Sequence, residues 1–457
     1  MKKILSLFSI VIVLFFAGCE DRTELTAPST TVNTGTADFS RFYSIGNSIT
    51  AGYQSGSLYE SAQKYSFGNL IANQVGTTYA FPNYSDPGTP GRIEIVKITA
   101  TGLVTRINPA SGIPTNKFYS KPYNNLGVPG ATLYDVLYAT DSLTCQSYVS
   151  PYIPLPAPYL KPNPMFNLIL RNTTTPTTQL SQGLSQTPTF LTIWIGNNDV
   201  LGYATSGGVL PPIPTPVSKF NENFDSLANK ISTYAPNAKV VLGNIPDVTV
   251  IPFFTTIGGQ LMLAGKTAVW AIKGTGDTAL LPLTGNLLTL KAQEELYNTS
   301  GVQTGKGFSK SMPLSSIVVL DSAEIVTAQT AIANFNGKIA SVASAKGWGL
   351  VDVNTIFRNF EYNPLKSKTG MMVNGIQFST MYVLGNLFSM DGVHPTNQGQ
   401  AIIANEFIKV VNSKFGAAIP LINVATIPGG LPFAKSINRS NIGIPLFPAG
   451  TFDNLLF

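Results

Sequence analysis

The chain has 457 residues, of which 44% are hydrophobic and only 11% are charged, and its formal net charge is +6. This composition predicts a large packed core, and without any basic run nucleic acid is excluded as an expected partner. After the N-terminal segment no stretch is apolar for long enough to span a bilayer, so we expect no transmembrane helix.

The N-terminus has the pattern of an export signal. A basic start is followed by an apolar run over residues 4–16, which is too short to span a bilayer comfortably. The run ends in Leu14-Phe15-Phe16-Ala17-Gly18-Cys19, which resembles a bacterial lipobox with Phe16 in place of the usual aliphatic residue. This resemblance implies removal of residues 1–18, a lipid on the Cys19 thiol and a lipoprotein anchored to a membrane of the cell envelope. The alternative is an ordinary cleaved signal followed by an unrelated cysteine.

The segment after the signal predicts a tether. Residues 19–38 contain small polar and acidic side chains with almost no bulky apolar ones, which is typical of flexible linkers. Without the two lysines of the signal, 27 basic and 23 acidic residues remain, a mild net charge of +4. Cys145 is the only other cysteine, so we expect no disulfide framework and interpret Cys145 as a small buried hydrophobe.

The first half of the chain alternates strands and helices with polar excursions between them. We predict strands over residues 42–45, 189–195 and 239–243, and amphipathic helices over residues 66–75 and 217–234. Two stretches rich in proline and polar residues, 76–123 and 146–188, are interpreted as insertions, and the first contains a predicted hairpin over residues 93–98 and 103–107.

The second half is less regular. Residues 252–312 mix apolar residues and glycine without a clear period, and we interpret them as an insertion that forms a lid or a cap on the substrate side. Further predictions are strands over residues 314–320 and 349–353, the latter the last strand, and helices over residues 325–342 and 402–415. Residues 416–457 are interpreted as a tail that packs on the domain.

Strands that alternate with helices predict an α/β fold with a mostly parallel sheet covered on both faces. One stretch in it stands out chemically, because His394 is the only histidine and Asp391 lies three residues before it. An imidazole beside a carboxylate suits proton transfer near neutral pH. The alternative is structural: Asp391 would cap the next helix and His394 would lie on the surface. A single histidine also leaves too few ligands for a zinc site, so no metal is expected.

Four short motifs point to a family. Gly46-Asn47-Ser48-Ile49, Val128-Pro129-Gly130-Ala131, Gly196-Asn197-Asn198-Asp199 and Asp391-Gly392-Val393-His394-Pro395 occur in this order. Together they resemble the four blocks of the SGNH/GDSL hydrolases. The resemblance implies a three-layer α/β/α, flavodoxin-like domain over residues 39–415 with long insertions, and an esterase that needs no cofactor or metal.

The same resemblance implies roles for individual residues. Ser48 would be the nucleophile, His394 its base and Asp391 the group that orients the imidazole. The Ser48 and Gly130 backbone N–H groups and the Asn198 side-chain amide would stabilise the oxyanion. Asn47 stands where the family often has Asp, and its carbonyl oxygen can still accept a hydrogen bond.

The expected function is an exported, lipid-anchored serine esterase or lipase that acts through an acyl-enzyme, and two alternatives stay open. One is a carbohydrate O-acetyl esterase, and the other is a surface lipoprotein that binds glycan or lipid without turnover. Apolar residues of the 252–290 stretch would line an acyl groove: Phe253, Phe254, Leu261, Leu263, Trp270, Leu280 and Leu281. Aromatic residues would instead favour a sugar: Tyr53, Tyr59 and Trp194.

Overall fold

A computed structural model describes residues 31–99, 102–171, 175–211, 213–298, 300–429 and 445–453. The predicted signal peptide, Cys19 and most of the predicted tether lie outside the described residues. Within the described part of the chain, every helix is too short or too polar to cross a membrane.

Five parallel strands form the central sheet, and the chain builds them in the order β1 (Phe42–Gly46), β2 (Asn125–Gly127), β3 (Phe190–Trp194), β4 (Lys239–Gly243) and β5 (Gly349–Val351). Their order in space is β5-β4-β3-β1-β2, and each neighbouring pair is parallel. Every residue of β1, β2 and β3 is buried, as expected of strands whose two faces are both covered by helices.

The strand order reverses at β1. The chain passes from β1 to β2 on one side, and later returns to place β3 on the other side of β1. In open α/β sheets, ligands bind outside the carboxyl ends of the strands at such a reversal. The segments that follow β1, β2 and β3 therefore meet at one edge of the sheet.

Two groups of helices flank the sheet. One group contains Phe67–Val75 and Asn397–Phe415, which pack together with the rings of Phe67 and Phe407 stacked 4.8 Å apart. The other group contains the helices Leu133–Tyr138, Gln179–Leu184, Asn198–Thr205, Val217–Tyr234 and Ser322–Lys346. These layers confirm the predicted three-layer α/β/α fold.

Shorter elements connect these layers. The remaining helices are Ser48–Ala51, Glu60–Gln63, Gln146–Val149, Met165–Ile169, Pro252–Leu263, Ala292–Leu296 and Val353–Asn359, with single 3₁₀ turns at Ala157–Tyr159, Val248–Val250, Ser316–Val318, Pro364–Lys366 and Val424–Thr426. Antiparallel pairs outside the central sheet are Ile93–Thr99 with Gly102–Ile107, Ala268–Ile272 with Thr278–Pro282, Leu287–Leu288 with Val319–Leu320, Tyr362–Asn363 with Lys368–Thr369, and Met371–Val373 with Ile376–Phe378.

Two strand predictions differ from the structure. Residues 314–320 form a 3₁₀ turn and then only the short strand Val319–Leu320, which pairs outside the central sheet. The strand predicted over residues 349–353 ends at Val351, because Asp352 caps the helix Val353–Asn359 by accepting from Thr355 N. It is also not the last strand, since the small hairpins over residues 362–378 follow it.

Part of the apolar stretch that begins at residue 252 belongs to the core. The helix Pro252–Leu263 buries Phe253, Phe254 and Leu261 completely or almost completely, whereas Leu263 is 69% exposed. Complete burial of a phenylalanine or leucine side chain stabilises the folded state by about 1.5–3 kcal/mol relative to an exposed position. Phe253, Phe254 and Leu261 are therefore core residues, whereas Leu280, like Leu263, is exposed. The acyl-groove interpretation of the stretch stays a prediction.

Part of the C-terminal tail lies against the same helix. The ring of Phe452 packs edge-on against Phe253 at 5.6 Å, and the Phe447 backbone N–H donates to Gln293 Oε1 at 3.0 Å. Phe253 N donates to Gly392 O at 3.0 Å, so residues 445–453 pack on a segment that contacts the loop of His394. The rest of the tail beyond residue 429 lies outside the described residues.

Candidate active site

The serine loop begins where β1 ends. Asn47 caps the short helix Ser48–Ala51, because its side-chain oxygen accepts from Ile49 N at 3.1 Å. A Cβ at Gly46 would collide with the Thr50 side chain, so glycine is needed there. Asn47 therefore leaves Ser48 at the first helical position, directly after β1 at the carboxyl edge of the sheet.

The aspartate–histidine loop is a tight turn. One oxygen of Asp391, Oδ1, accepts from the backbone N–H groups of Val393 at 2.9 Å and His394 at 2.8 Å. Gly392 has a φ of +72°, and a Cβ there would lie 2.9 Å from Phe253 N. The turn therefore depends on a carboxylate at position 391 and on a glycine after it.

The structural alternative for this loop does not hold. The helix Asn397–Phe415 is capped by Thr396, whose hydroxyl accepts from Gly399 N, and not by Asp391. His394 is 1% exposed and Asp391 is 0% exposed, so neither is a surface residue.

The structure brings the serine, the histidine and the aspartate together. His394 Nε2 lies 2.8 Å from Ser48 Oγ, and His394 Nδ1 lies 2.9 Å from Asp391 Oδ2. A carboxylate accepts only, so the proton is assigned to Nδ1, which leaves Nε2 free to accept the serine proton. Burial alone raises the pKa of Asp391, but attraction to His394 and the hydrogen bonds from His394 and Val393 outweigh it, so the pKa lies below its ordinary value. This chain of groups can take a proton from the serine hydroxyl.

The glycine loop follows β2 and is bonded to the serine loop. Val128 N donates to Gly46 O at 3.1 Å, and Gly130 has a φ of +78°. Within the described part of the chain, no protein acceptor is found for the backbone N–H of Ser48 or of Gly130. Both N–H groups are therefore available to a ligand at this edge.

The segment after β3 bonds to the glycine loop. Asn198 Nδ2 donates to Ala131 O at 2.9 Å, and because an amide nitrogen carries two hydrogens, one remains for a ligand. Ser48, Gly130 and Asn198 thus follow three neighbouring strands, and each offers an N–H group of the kind that stabilises an oxyanion.

Two buried carboxyl groups near these donors had no predicted role. Asp199 Oδ2 accepts from Leu133 N at 2.9 Å, and burial raises the pKa of Asp199 to about 7. Asp135 accepts from the backbone N–H groups of Thr132 and Gln146, and burial raises its pKa to about 6. Asp199 was visible in the sequence as the last residue of its motif, but no sequence signal indicated its burial.

Asn163 is a second residue that sequence reasoning missed. It is 2% exposed, and its Nδ2 donates to Pro129 O at 2.9 Å, next to Gly130. It lies in the predicted insertion 146–188, where an isolated asparagine among prolines carries no signal. The insertion therefore supports the glycine loop directly.

The aromatic residues considered for sugar binding are buried. Trp194 and Tyr53 are 0% exposed and Tyr59 is 8% exposed. The Trp194 indole donates to Asn244 O at 3.0 Å inside the core. These three side chains are therefore packed in the interior, and their interpretation as sugar-binding residues stays a prediction. Cys145 is buried and free, as predicted.

The described residues contain no group of three or more histidine, cysteine, aspartate or glutamate side chains arranged to hold a metal ion. The candidate site is a buried set of hydrogen-bonded side chains at the edge of a parallel sheet, an arrangement that hydrolytic enzymes use.

The profile of the GDSL-like Lipase/Acylhydrolase family matches residues 42–407 of the chain. The match spans most of the chain, including all four motifs, so the chain belongs to this family and is an ester-hydrolysing enzyme. A comparison with curated proteins gives no match.

Solved structures of similar proteins are distant. An extracellular lipase from Streptomyces rimosus shares 16% identity, covers 82% of this chain and 98% of its own, and has a TM-score of 0.34. A phospholipase A1 from Streptomyces albidoflavus NA297 shares 14% identity with the same coverages and the same TM-score. A putative GDSL-like lipase from Parabacteroides merdae ATCC 43184 shares 11% identity, covers 83% of this chain and 98% of its own, and has a TM-score of 0.32. These similarities are too distant to indicate a substrate.

Proposed function

We propose that the chain is a serine esterase that hydrolyses carboxylic esters through an acyl-enzyme on Ser48. The observation that carries the proposal is the hydrogen-bonded series from Ser48 Oγ to His394 Nε2, at 2.8 Å, and from His394 Nδ1 to Asp391 Oδ2, at 2.9 Å. A serine hydroxyl becomes a good nucleophile only when a base within hydrogen-bond reach takes its proton.

In acylation, Ser48 Oγ forms a bond to the ester carbonyl carbon while His394 Nε2 takes the hydroxyl proton. The carbonyl π pair moves to oxygen and gives a tetrahedral oxyanion. When the pair returns, the bond to the alcohol oxygen breaks and His394 gives its proton to the leaving alcohol. Asp391 stays ionised and stabilises the imidazolium, in keeping with its lowered pKa.

In deacylation, water takes the place of the alcohol. His394 removes a proton from water as the water oxygen bonds to the acyl carbon, and the second tetrahedral intermediate collapses with release of Ser48 Oγ. His394 returns the proton to Ser48, and the acid product leaves. No cofactor or metal takes part in either step.

The oxyanion is assigned to three donors. The free backbone N–H groups of Ser48 and Gly130 and the second hydrogen of the Asn198 amide support this assignment. Loss of one such donor typically costs roughly 3–4 kcal/mol of transition-state stabilisation.

The test uses p-nitrophenyl esters from acetate to palmitate, with two variants alongside the wild type. Ser48→Ala should lose turnover. Ser66→Ala is the matched control, because Ser66 Oγ is buried and makes no hydrogen bond in the described chain. Activity of Ser48→Ala equal to that of the wild type would refute the proposal.

The same series decides the substrate class. Turnover that peaks at medium or long acyl chains supports a lipid or acyl ester, and turnover confined to acetate supports a carbohydrate O-acetyl esterase. No turnover above the Ser48→Ala background on any ester favours a surface protein that binds its ligand without cleaving it.

The proposal includes a lipid anchor on Cys19, which rests on the sequence pattern alone. Mass spectrometry of the N-terminal peptide from membranes should find a diacylglyceryl cysteine. A Cys19→Ser variant should move to the soluble fraction. An unmodified Cys19 in the membrane fraction would contradict the anchor.

A further inference from the structure

A two-residue turn, Ser55 and Gly56, contacts the Asp391 carboxylate in addition to the contacts that its own loop makes. Gln54 and Ser57 exchange both backbone hydrogen bonds at 3.0 Å, and the two central residues have positive φ angles, +51° at Ser55 and +75° at Gly56. A tight hairpin turn of this kind is rigid, because its conformation is set by the backbone hydrogen bonds and not by long side chains.

The turn is bonded to the loop of His394 at several points. Gly56 N donates to Asp391 Oδ2 at 2.9 Å, so this oxygen receives both Gly56 N–H and His394 Nδ1. Ser55 N donates to Ser389 Oγ at 2.8 Å, and Ser389 Oγ in turn donates to Asp391 Oδ1 at 3.2 Å.

Asp391 therefore accepts five hydrogen bonds, three on Oδ1 and two on Oδ2. The Oδ1 partners are Ser389 Oγ and the N–H groups of its own turn, and the Oδ2 partners are Gly56 and His394. Such a carboxylate has no freedom to rotate about its Cβ–Cγ bond. The position of Oδ2, and with it the direction of the Nδ1 hydrogen bond, depends on where Gly56 stands.

Tyr53 connects this turn to the imidazole itself. Its ring meets the ring of His394 edge-on at 4.9 Å, and its hydroxyl donates to Gly56 O at 2.6 Å. The contacts therefore form a ring: Tyr53 bonds to Gly56, Gly56 to Asp391 and Asp391 to His394, which packs against Tyr53. Tyr53 is 0% exposed, so packing fixes its ring.

We propose that the turn at residues 54–57 and Tyr53 are positioning residues for the reaction, which orient the Asp391 carboxylate and thereby the His394 imidazole toward Ser48. This inference rests on the proposed function of Ser48 and His394. Gly56 bonds to Asp391 and the Tyr53 ring packs on the imidazole, so their effect is exerted through the geometry of the base.

The sole histidine gives a direct readout. Because the chain has one histidine, the full-length protein labelled with ¹⁵N-histidine gives imidazole NMR signals from His394 alone. The low-field proton on Nδ1 reports the hydrogen bond to Asp391 without any turnover.

Tyr53→Phe is the first test variant, because it keeps the ring against His394 and removes the hydroxyl. We expect kcat to fall about tenfold with KM within twofold, since small misplacements of a catalytic group lower the rate rather than binding. The Nδ1 proton signal should shift or broaden. Ser389→Ala is the second variant and should act in the same direction if Tyr53→Phe does not fold.

Tyr123→Phe is the matched control. Tyr123 is 1% exposed, and its hydroxyl donates to Asn116 O at 3.0 Å, away from the turn. Its loss should lower thermal stability but leave kcat and the Nδ1 signal unchanged.

A kcat within twofold of wild type and an unchanged Nδ1 signal in both test variants would overturn the inference. Failure of the proposed function would look different, because the wild type itself would then show no serine-dependent turnover. The Nδ1 signals of the wild type and the variants could still be compared in that case.

Discussion

Gln400 joins the histidine segment to the serine segment across 351 residues of chain. Its Nε2 donates to the backbone carbonyl of Ile49 at 2.9 Å, next to Ser48. Its Oε1 accepts from Phe67 N at 3.1 Å, at the start of the helix Phe67–Val75. One buried amide thus connects the helix that follows His394 to two elements from the N-terminal part of the domain.

Replacing Gln400 by Ala should destabilise the fold by about 3 kcal/mol, because it leaves a buried donor and a buried acceptor without partners. Urea unfolding measures the change. Gln74→Ala is the control, since Gln74 makes a similar bond to Pro420 O on the exposed surface and should cost less than about 0.5 kcal/mol. Equal losses in the two variants would show that burial of the Gln400 amide is not what matters.

Asn198→Ala should lower kcat roughly 100- to 1,000-fold with a small change in KM, because an oxyanion donor acts in the transition state. Steady-state kinetics on an ester that the wild type cleaves gives both constants. The neighbouring Asn197 is the control, since both polar atoms of its buried side chain are without hydrogen-bond partners in the described chain. Asn197→Ala should change kcat less than about fivefold; an Asn198→Ala enzyme as active as this control would remove Asn198 from the site.

Asp199→Asn should alter the pH dependence of stability. Burial raises the pKa of Asp199 from the ordinary 3.8 to about 7, so the folded state binds the proton more tightly than the unfolded state. Stability from this group is present at low pH and is lost as pH rises from about 4 to about 7. An asparagine at position 199 does not titrate. The free energy of unfolding of the variant minus that of the wild type should therefore increase between pH 5 and pH 8, by on the order of 3 kcal/mol at most.

Urea unfolding at the two pH values tests this sign. Asp135 remains in the Asp199→Asn variant, so part of the slope should persist. An advantage that shrinks toward pH 8 would refute the raised pKa.

Gly392→Ala should destabilise the protein by about 2 kcal/mol, because the residue has positive φ and its Cβ would press on Phe253 N. Thermal or urea unfolding measures the loss. Gly259→Ala is the opposite case: Gly259 lies inside the helix Pro252–Leu263 with open space where its Cβ would be. The free energy of unfolding of that variant should rise by up to about 1 kcal/mol, because alanine has a higher helix propensity than glycine. A loss at Gly259 comparable to that at Gly392 would contradict this account.

Several features of the fold were predictable from local pattern. Strands β1, β3 and β4 lie where short apolar runs predicted them, and the helix over residues 217–234 follows its period of three and four residues. These elements obey local rules, because burial on both faces of a parallel strand and on one face of a helix leaves a periodic trace in the sequence.

Other features left no such trace. The composition of Phe253 and Trp194 does not say where they lie, and only packing places both side chains in the core. Residues 314–320 have strand-like composition, but no neighbouring strand of the central sheet is placed to pair with them.

The motifs by themselves determined which side chains carry the chemistry that we propose: a serine after the first strand, a lone histidine three residues beyond an aspartate, and a glycine and an asparagine between them. Only the tertiary structure decided how those side chains are held. The Gly56 N–H on Asp391, the Asn163 amide on Pro129 and the Gln400 amide on Ile49 join residues far apart in the chain. Such bonds depend on the three-dimensional meeting of segments whose sequences carry no mutual signal, so no periodicity or spacing could have indicated them.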